Sequence, residues 1–111
     1  MKQKKTVDHT ALLVLALLTR EDMYGYQMIA RLEEESDHTF EMKEGTLYPI
    51  LHGLEKDGAL SSYLMEAPTG RQRKYYHLTE KGGALLKTET AEWRSYSRAV
   101  NTVLENAMGL A

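Results

Sequence analysis

The chain has 111 residues, of which 42% are hydrophobic and 27% charged, and its formal net charge is −2. This length supports one compact domain with one core, and the composition excludes an intrinsically disordered chain. The absence of cysteine excludes disulfides, thiolate metal centres and cysteine nucleophiles, and favours a cytoplasmic protein.

The first strongly apolar segment, Ala11–Leu18, has eight residues. A membrane span needs about 20 apolar residues, so we expect no membrane association and instead a buried helix over Thr10–Arg20. A polar break at 21–25 precedes a second predicted helix, Tyr26–Ser36. Its apolar face carries Met28, Ile29 and Leu32.

A third helix is predicted by an apolar stripe with helical spacing, formed by Leu47, Ile50, Leu51 and Leu54. Pro49 fits only in the first turn of a helix, where its missing N–H needs no partner, so we expect the helix to begin near Gly45 or Thr46. The opposite face would then present Thr46, Tyr48, Pro49, His52, Gly53 and Lys56.

A β-hairpin is predicted after Gly58, because Leu60–Met65 and Lys74–Leu78 are short, tyrosine-containing stretches separated by a turn-rich segment. We expect Tyr63, Tyr75 and Tyr76 to pack the hairpin onto the helices, with one ring inward and its neighbour outward along the alternating strand. The turn carries a purely basic cluster of Arg71, Arg73 and Lys74. By contrast, the segment 33–44 is rich in acidic residues.

The last helix is expected to be capped by Thr79 and to reach Gly109, a length of about 45 Å, whereas a globule of this size is about 34 Å across. It would therefore overhang its own domain and expose an apolar seam, which favours a homodimer. The candidate dimerisation residues of this seam are Leu86, Trp93, Tyr96, Val100 and Val103. Trp93, with Leu12 and Leu13 nearby, is also a candidate slot for a small hydrophobic or aromatic effector, the alternative being that Trp93 only fills the dimer core.

Three helices followed by a hairpin is the element order of a winged helix-turn-helix. We therefore predict a mainly α fold with a small β-hairpin (α+β). Residues 1–78 would form a winged helix-turn-helix DNA-binding domain, and residues 79–111 a C-terminal dimerisation helix packed with it.

In such a fold the third helix enters the major groove and the hairpin, or wing, reaches the DNA backbone. The candidate DNA-binding residues are Thr46, Tyr48, Pro49, His52, Lys56, Arg71, Arg73 and Lys74. The alternatives are an ordinary solvated helix face and a solubilising turn. Six wing cations per dimer would give a log–log salt dependence of binding with a slope of roughly −5. Lys2, Lys4 and Lys5 are further candidates for phosphate contact.

Several motifs in combination resemble the PadR family of bacterial transcriptional regulators. They are Glu44-Gly45-Thr46-Leu47-Tyr48-Pro49, Gly70–Tyr76, Leu78–Gly82, Tyr24-Gly25-Tyr26 and Leu54–Gly58. The resemblance covers roughly 12–82 and implies a dimeric winged-helix repressor of the short class, with one helix after the wing. Lys43 and Gln72 depart from it, because many members carry a helix-capping residue and proline there. The resemblance therefore does not extend to the N-cap of the third helix or to a rigid wing tip.

We therefore predict a homodimeric, sequence-specific regulator, a repressor that binds a near-palindromic double-stranded DNA operator and is relieved by a small aromatic ligand if one binds. The alternative is a winged-helix module that contacts proteins rather than DNA. An enzyme is not expected, since the serines lie in no nucleophile motif and the four histidines show no metal-ligand spacing. We expect no cofactor and no metal site.

Overall fold

A computed structural model describes residues 9–109. The N-terminal lysines considered for phosphate contact lie outside this range. In chain order the elements are helix α1 (His9–Leu17), strand β1 (Met23–Tyr24), helix α2 (Gly25–Glu35), helix α3 (Glu44–Lys56), strands β2 (Leu60–Glu66) and β3 (Gln72–Leu78), and helix α4 (Glu80–Ala107). The mainly α winged-helix fold with a long C-terminal helix is confirmed.

The sheet has three strands in the order β1-β3-β2, both pairs antiparallel. The sequence predicted only the hairpin, so β1 corrects the interpretation of 21–25 as a polar break. Met23 is fully buried, and Met23 and Tyr24 pair with Tyr76 and Tyr75. A two-residue strand is too short to show an alternating pattern, which explains why it was missed.

The core lies where α1, α2 and α3 meet the inner face of the sheet. Its largest fully buried side chains are Tyr76, Leu15, Met23, Met28, Leu47, Leu51 and Val14. Ile50, the fourth member of the α3 stripe, is partly buried against this cluster. Of the hairpin tyrosines only Tyr76 belongs to the core. Tyr63 is exposed and Tyr75 half-buried, because both lie on the outer face of the sheet.

Helix α3 begins earlier than predicted, at Glu44, with Lys43 as an N-cap that makes no side-chain hydrogen bond. Pro49 is therefore the sixth helical residue and lies beyond the first turn. The missing N–H of Pro49 leaves the carbonyl of Gly45 without its regular helical partner. The free energy gained by packing the apolar stripe outweighs the cost of this lost hydrogen bond.

Helix α4 begins as predicted, because the Thr79 hydroxyl accepts a hydrogen bond from the backbone N–H of Gly82 at 3.0 Å. Gly82 is required by close packing: a Cβ there would lie 2.1 Å from the carbonyl oxygen of Ala59. The 28 residues of α4 extend about 42 Å, and the described residues measure 59 × 35 × 24 Å. The first half of α4 packs on α1 and β3, and the second half projects beyond the domain.

Candidate nucleic-acid interface

The exposed side of α3 carries Thr46, Pro49, His52 and Lys56, as the sequence predicted. Tyr48 differs, because it is half-buried. A Cβ on Gly25 would lie 2.4 Å from the Tyr48 hydroxyl oxygen, too close for two unbonded atoms. The absence of a side chain at Gly25 therefore lets the Tyr48 ring pack there. Burial, together with the negative charge of Glu44, raises the pKa of Tyr48. Only part of the Tyr48 ring is therefore available to a ligand.

A groove of about 640 Å³ separates α3 from the wing. Tyr48 and His52 line one wall, and Arg71, Arg73 and Lys74 line the other. Thr46 instead borders a second hollow, beside Met42 and Lys43. The structure thus brings five of the eight candidate DNA-binding residues to one groove and leaves Thr46, Pro49 and Lys56 on the neighbouring surface of α3.

The three basic residues of the wing have different surroundings. Arg71 lies in the exposed turn. The Arg73 guanidinium lies 4.4 Å from the centre of the Tyr24 ring, a cation–π contact. Lys74 is paired with Glu55 of α3, with 3.6 Å between Nζ and Oε1, so its charge is already compensated within the protein. If Lys74 is not counted, the predicted dimer has four wing cations. The expected slope of the log–log salt dependence of DNA binding then changes from roughly −5 to roughly −3.6.

Two carboxylates hold the wing, one on each face of the hairpin, and we call them the wing clamps. On the outer face, Asp22 Oδ1 lies 2.8 Å from His77 Nδ1, and Asp22 Oδ2 accepts the Tyr63 hydroxyl at 2.7 Å. On the inner face, Glu55 accepts the Ser62 hydroxyl and pairs with Lys74. Each clamp contacts both β2 and β3, so polar contacts connect the hairpin to α3 and to the α1–β1 connection.

The pKa values of both clamps are lowered. Partial burial raises the pKa of Asp22, but the hydrogen bonds from His77 and Tyr63 outweigh this effect. For Glu55 the hydrogen bond from Ser62 is the largest cause, and the positive charge of Lys74 adds to it. Both clamps are therefore held in the charged form that makes these bonds.

Glu44, the first residue of α3, is a further candidate that the sequence interpretation missed. Hydrogen bonding to this carboxylate and its negative charge raise the pKa of the exposed Tyr26 of α2. In the sequence, Glu44 ends an acidic segment and begins the motif Glu44–Pro49. The available signal was its position directly before Gly45 and Thr46, at the start of the helix expected to read DNA.

The candidate seam of α4 divides into two parts. Leu86 packs partly against the core of its own domain, so within the protomer it is not free. The others remain exposed: Trp93 is 38% exposed, Tyr96 51%, Val100 39% and Val103 66%. The apolar stripe continues with Leu104 and Met108.

The surroundings of Trp93 include α1. Its ring meets the edge of the His9 ring, with 4.6 Å between ring centres. Leu12 and Leu13 lie on the next turn of α1 and are half-buried, and Leu13 packs partly against the core. Trp93 therefore lies at the point where α4 leaves the domain.

Two other kinds of site are absent from residues 9–109. No helix in this range is both long and apolar enough to cross a membrane. The same residues contain no group of three or more histidines and carboxylates placed to hold a metal ion.

The family model described as the transcriptional regulator PadR-like family matches residues 14–88, a range that includes α3, the wing and the first third of α4. The chain belongs to the PadR family. This assignment makes it a transcriptional regulator and not an enzyme.

Relatives agree with this assignment. The transcriptional regulator Rv3488 of Mycobacterium tuberculosis is 38% identical over 68 residues, which cover 61% of this chain and 63% of that protein. A solved transcriptional regulator from Clostridium thermocellum superposes with a TM-score of 0.79 at 31% identity, covering 85% of this chain and 91% of that one. A PadR family regulator from Clostridium difficile gives a TM-score of 0.73 at 32% identity, covering 87% and 99%.

Proposed function

We propose that this PadR family member is a dimeric, cytoplasmic repressor that binds a near-palindromic operator through α3 and the wing. The observation that carries the DNA-binding part is the groove between α3 and the wing. There Arg71 and Arg73, which lack a carboxylate partner among the described contacts, face the exposed helix surface that carries His52. Cations placed over phosphates release counterions and give salt-dependent affinity, while polar groups on the helix reach base edges.

The proposed dimer rests on α4. Its outer part exposes aromatic and aliphatic side chains in steps of three and four residues, at Trp93, Tyr96, Val100 and Val103. An apolar stripe of this kind on a projecting helix is typical of a helix–helix interface. Two chains joined in this way would present two α3 helices to successive major grooves, about 34 Å apart.

The experiment is a binding titration against the protein's own promoter region at several salt concentrations. The double variant Arg71→Ala/Arg73→Ala should lose most of the affinity and flatten the salt slope. The control Lys87→Ala/Arg98→Ala removes the same charge from exposed positions of α4 and should bind nearly as the parent does. Absence of specific binding at every salt concentration, or full binding by the wing variant, would contradict the proposal and favour a protein-contact role.

Relief by an effector is a separate part of the proposal. Trp93 is the only tryptophan in the chain, so intrinsic fluorescence reports directly on the slot that it would form with Leu12 and Leu13. A planar aromatic ligand that binds there should quench this fluorescence and lower the affinity for DNA. Quenching that survives Leu12→Ser/Leu13→Ser would place the ligand elsewhere.

A further inference from the structure

Three tyrosines form an aromatic ladder on the outer face of the sheet: Tyr24 of β1, Tyr75 of β3 and Tyr63 of β2. The strand register brings them together, because Tyr75 pairs with Tyr24 on one side and with Tyr63 on the other. The Tyr63 and Tyr75 rings are stacked, with 5.7 Å between ring centres and 13° between ring planes. The Tyr24 ring meets the Tyr75 ring in a T-shaped contact at 5.4 Å. Side-chain contacts thus join all three strands.

Each end of the aromatic ladder has a charged partner. At the β2 end, the Tyr63 hydroxyl donates a hydrogen bond to Asp22, one of the wing clamps, at 2.7 Å. At the β1 end, the Arg73 guanidinium lies over the Tyr24 ring, 4.4 Å from its centre. Arg73, Tyr24 and Tyr75 are all half-buried, and a cation–π contact is stronger where the charge is partly removed from water. The Arg73 side chain therefore packs on a ring that is itself held by its neighbour.

The three wing cations differ in what their partners leave available. Arg71 is exposed and has no carboxylate partner within residues 9–109, and Lys74 is paired with Glu55. Arg73 packs on a ring, which offers no oxygen atom to its N–H groups. In the same part of the chain, no protein oxygen accepts a hydrogen bond from the Arg73 guanidinium. Its N–H donors are therefore available to an oxygen of another molecule, although its charge already has a contact within the protein.

An arginine held in this way loses less conformational entropy on binding than a mobile one. The long side chain gives up much of its rotamer freedom when it contacts a ligand. Arg73 lines the groove between α3 and the wing together with Tyr24 and His52, so it is held on the surface proposed to face DNA. There its planar guanidinium has the geometry to make two parallel hydrogen bonds to a phosphate.

We propose that Tyr24 is a positioning residue for DNA binding, whose ring holds the Arg73 guanidinium at the wall of the groove with its N–H donors free to bind a DNA phosphate. This inference rests on the proposed DNA-binding function. It adds an uncharged residue that acts through Arg73 and that the candidate DNA-binding residues do not include.

A purely structural role for Tyr24 makes a different prediction. Tyr24 belongs to β1 and is the N-cap residue of α2, where its side chain makes no capping hydrogen bond. If it only stabilised these elements, its loss would affect DNA binding equally with or without Arg73. A positioning role instead requires Arg73 to be present. Dependence on Arg73 is therefore the measurement that separates the two roles.

The test is a titration of the protein's own promoter DNA with the parent protein, Tyr24→Leu and Tyr24→Phe. Tyr24→Leu should weaken binding by about two- to tenfold for each half-site, because Arg73 must then be ordered on binding. Tyr24→Phe keeps the ring and the cation–π contact and should bind as the parent does. Neither change removes a cation, so both variants should keep the parental salt slope.

The matched comparison places Tyr24→Leu in two backgrounds. In Arg73→Ala the ring has no guanidinium to position, so Tyr24→Leu should cause no further loss of affinity. Arg71→Ala removes an equal charge from the exposed turn. In that background Tyr24→Leu should cause the same loss as in the parent, about two- to tenfold for each half-site.

Nuclear magnetic resonance tests the contact in the free protein. Protons packed over an aromatic ring resonate upfield, so the side-chain protons of Arg73 should be shifted upfield in the parent and in Tyr24→Phe. In Tyr24→Leu they should return to ordinary values. The parent and Tyr24→Phe keep this test decisive even if Tyr24→Leu does not fold.

Three outcomes would overturn the inference and leave the proposed function intact. They are equal losses of affinity in Tyr24→Phe and Tyr24→Leu, a full further loss from Tyr24→Leu in the Arg73→Ala background, and ordinary chemical shifts for Arg73 in the parent. If the parent binds no DNA specifically at any salt concentration, the DNA-binding proposal fails, and the positioning role of Tyr24 fails with it.

Discussion

The head of the molecule, residues 9–86, and the outer part of α4, residues 92–107, differ in where their apolar side chains go. The head buries most of its leucines, two methionines and Tyr76 in one core, and exposes Leu64 and Met65 on the wing. In the outer part of α4, every residue except Ser97 is exposed, including Trp93 and Val103. The apolar side chains of the head thus stabilise the fold of the chain, whereas those of the outer part of α4 remain available for contact with another molecule.

The largest expected effect comes from the core of the head. Leu51 is fully buried, so Leu51→Ala should lower the free energy of unfolding by about 2–5 kcal/mol through lost burial and a cavity. The matched change in the outer part of α4 is Val103→Ala. Its cost should depend on protein concentration, because it acts on association. Urea unfolding at two protein concentrations distinguishes the two effects. An equal loss of unfolding free energy in both variants, independent of protein concentration, would contradict the difference between the head and the outer part of α4.

The outer part of α4 can be tested directly with Trp93→Ala/Val100→Asp. A charge and a truncated aromatic in an apolar helix seam should weaken association by about 100-fold or more and yield monomers with a folded head. Sedimentation velocity measures the mass, and far-UV circular dichroism checks the fold. Arg98→Ala, on an exposed polar position of the same helix, is the control. A dimer that persists in the double variant would remove α4 from this role.

Adding a single methyl group at the start of α4, where this helix packs on the head, should change the stability of the protein. Gly82→Ala would place a Cβ 2.1 Å from the Ala59 carbonyl oxygen, and we expect a loss of about 1–3 kcal/mol in stability. Gly83→Ala is a matched control of opposite sign. Its Cβ would meet nothing within 4 Å, and alanine favours a helix over glycine by about 1 kcal/mol. Thermal unfolding of both variants measures the difference. If both substitutions stabilise the protein, the backbone at Ala59 can move away from the added Cβ at little cost.

The smallest expected effect concerns acid and the wing clamps. Because the folded protein lowers the pKa of Asp22 and Glu55, their contribution to stability is present above the usual values of 3.8 and 4.5. It is lost as the pH falls through the lowered values. Both side chains are about one-third exposed, so we expect less than about 1 kcal/mol from each.

Asp22→Asn should therefore flatten the fall in unfolding free energy below about pH 4. Asp37→Asn, which removes an exposed carboxylate outside the wing clamps, controls for the loss of one acid. A parental pH profile in Asp22→Asn would mean that the hydrogen bonds to Tyr63 and His77 contribute nothing to stability.

Much of the fold could be predicted from the sequence because its signals are local. The stripe from Leu47 to Leu54, the tyrosine-containing strands and Thr79 each act within a few residues, and the structure confirms the elements that they predict. Strand β1 could not be predicted, since two residues carry no period and its partner in β3 lies 51 to 53 residues later in the chain.

The candidate site was predictable in composition but not in its pairings. The wing cations were identified as a cluster, yet the compensation of Lys74 by Glu55 depends on a contact between two elements. The same holds for Asp22, whose partners Tyr63 and His77 are 41 and 55 residues away. A sequence shows which charges are available, whereas only the folded chain shows which of them are already paired.

The contact of Gly82 with Ala59 and the packing of Trp93 on His9 anchor the first half of α4, so only the part beyond Trp93 is free to tilt. A tilt of about 5° there would move the far end of about 21 Å of helix by about 2 Å. In the proposed dimer, side chains that change the packing around Trp93 would therefore change the distance between the two α3 helices.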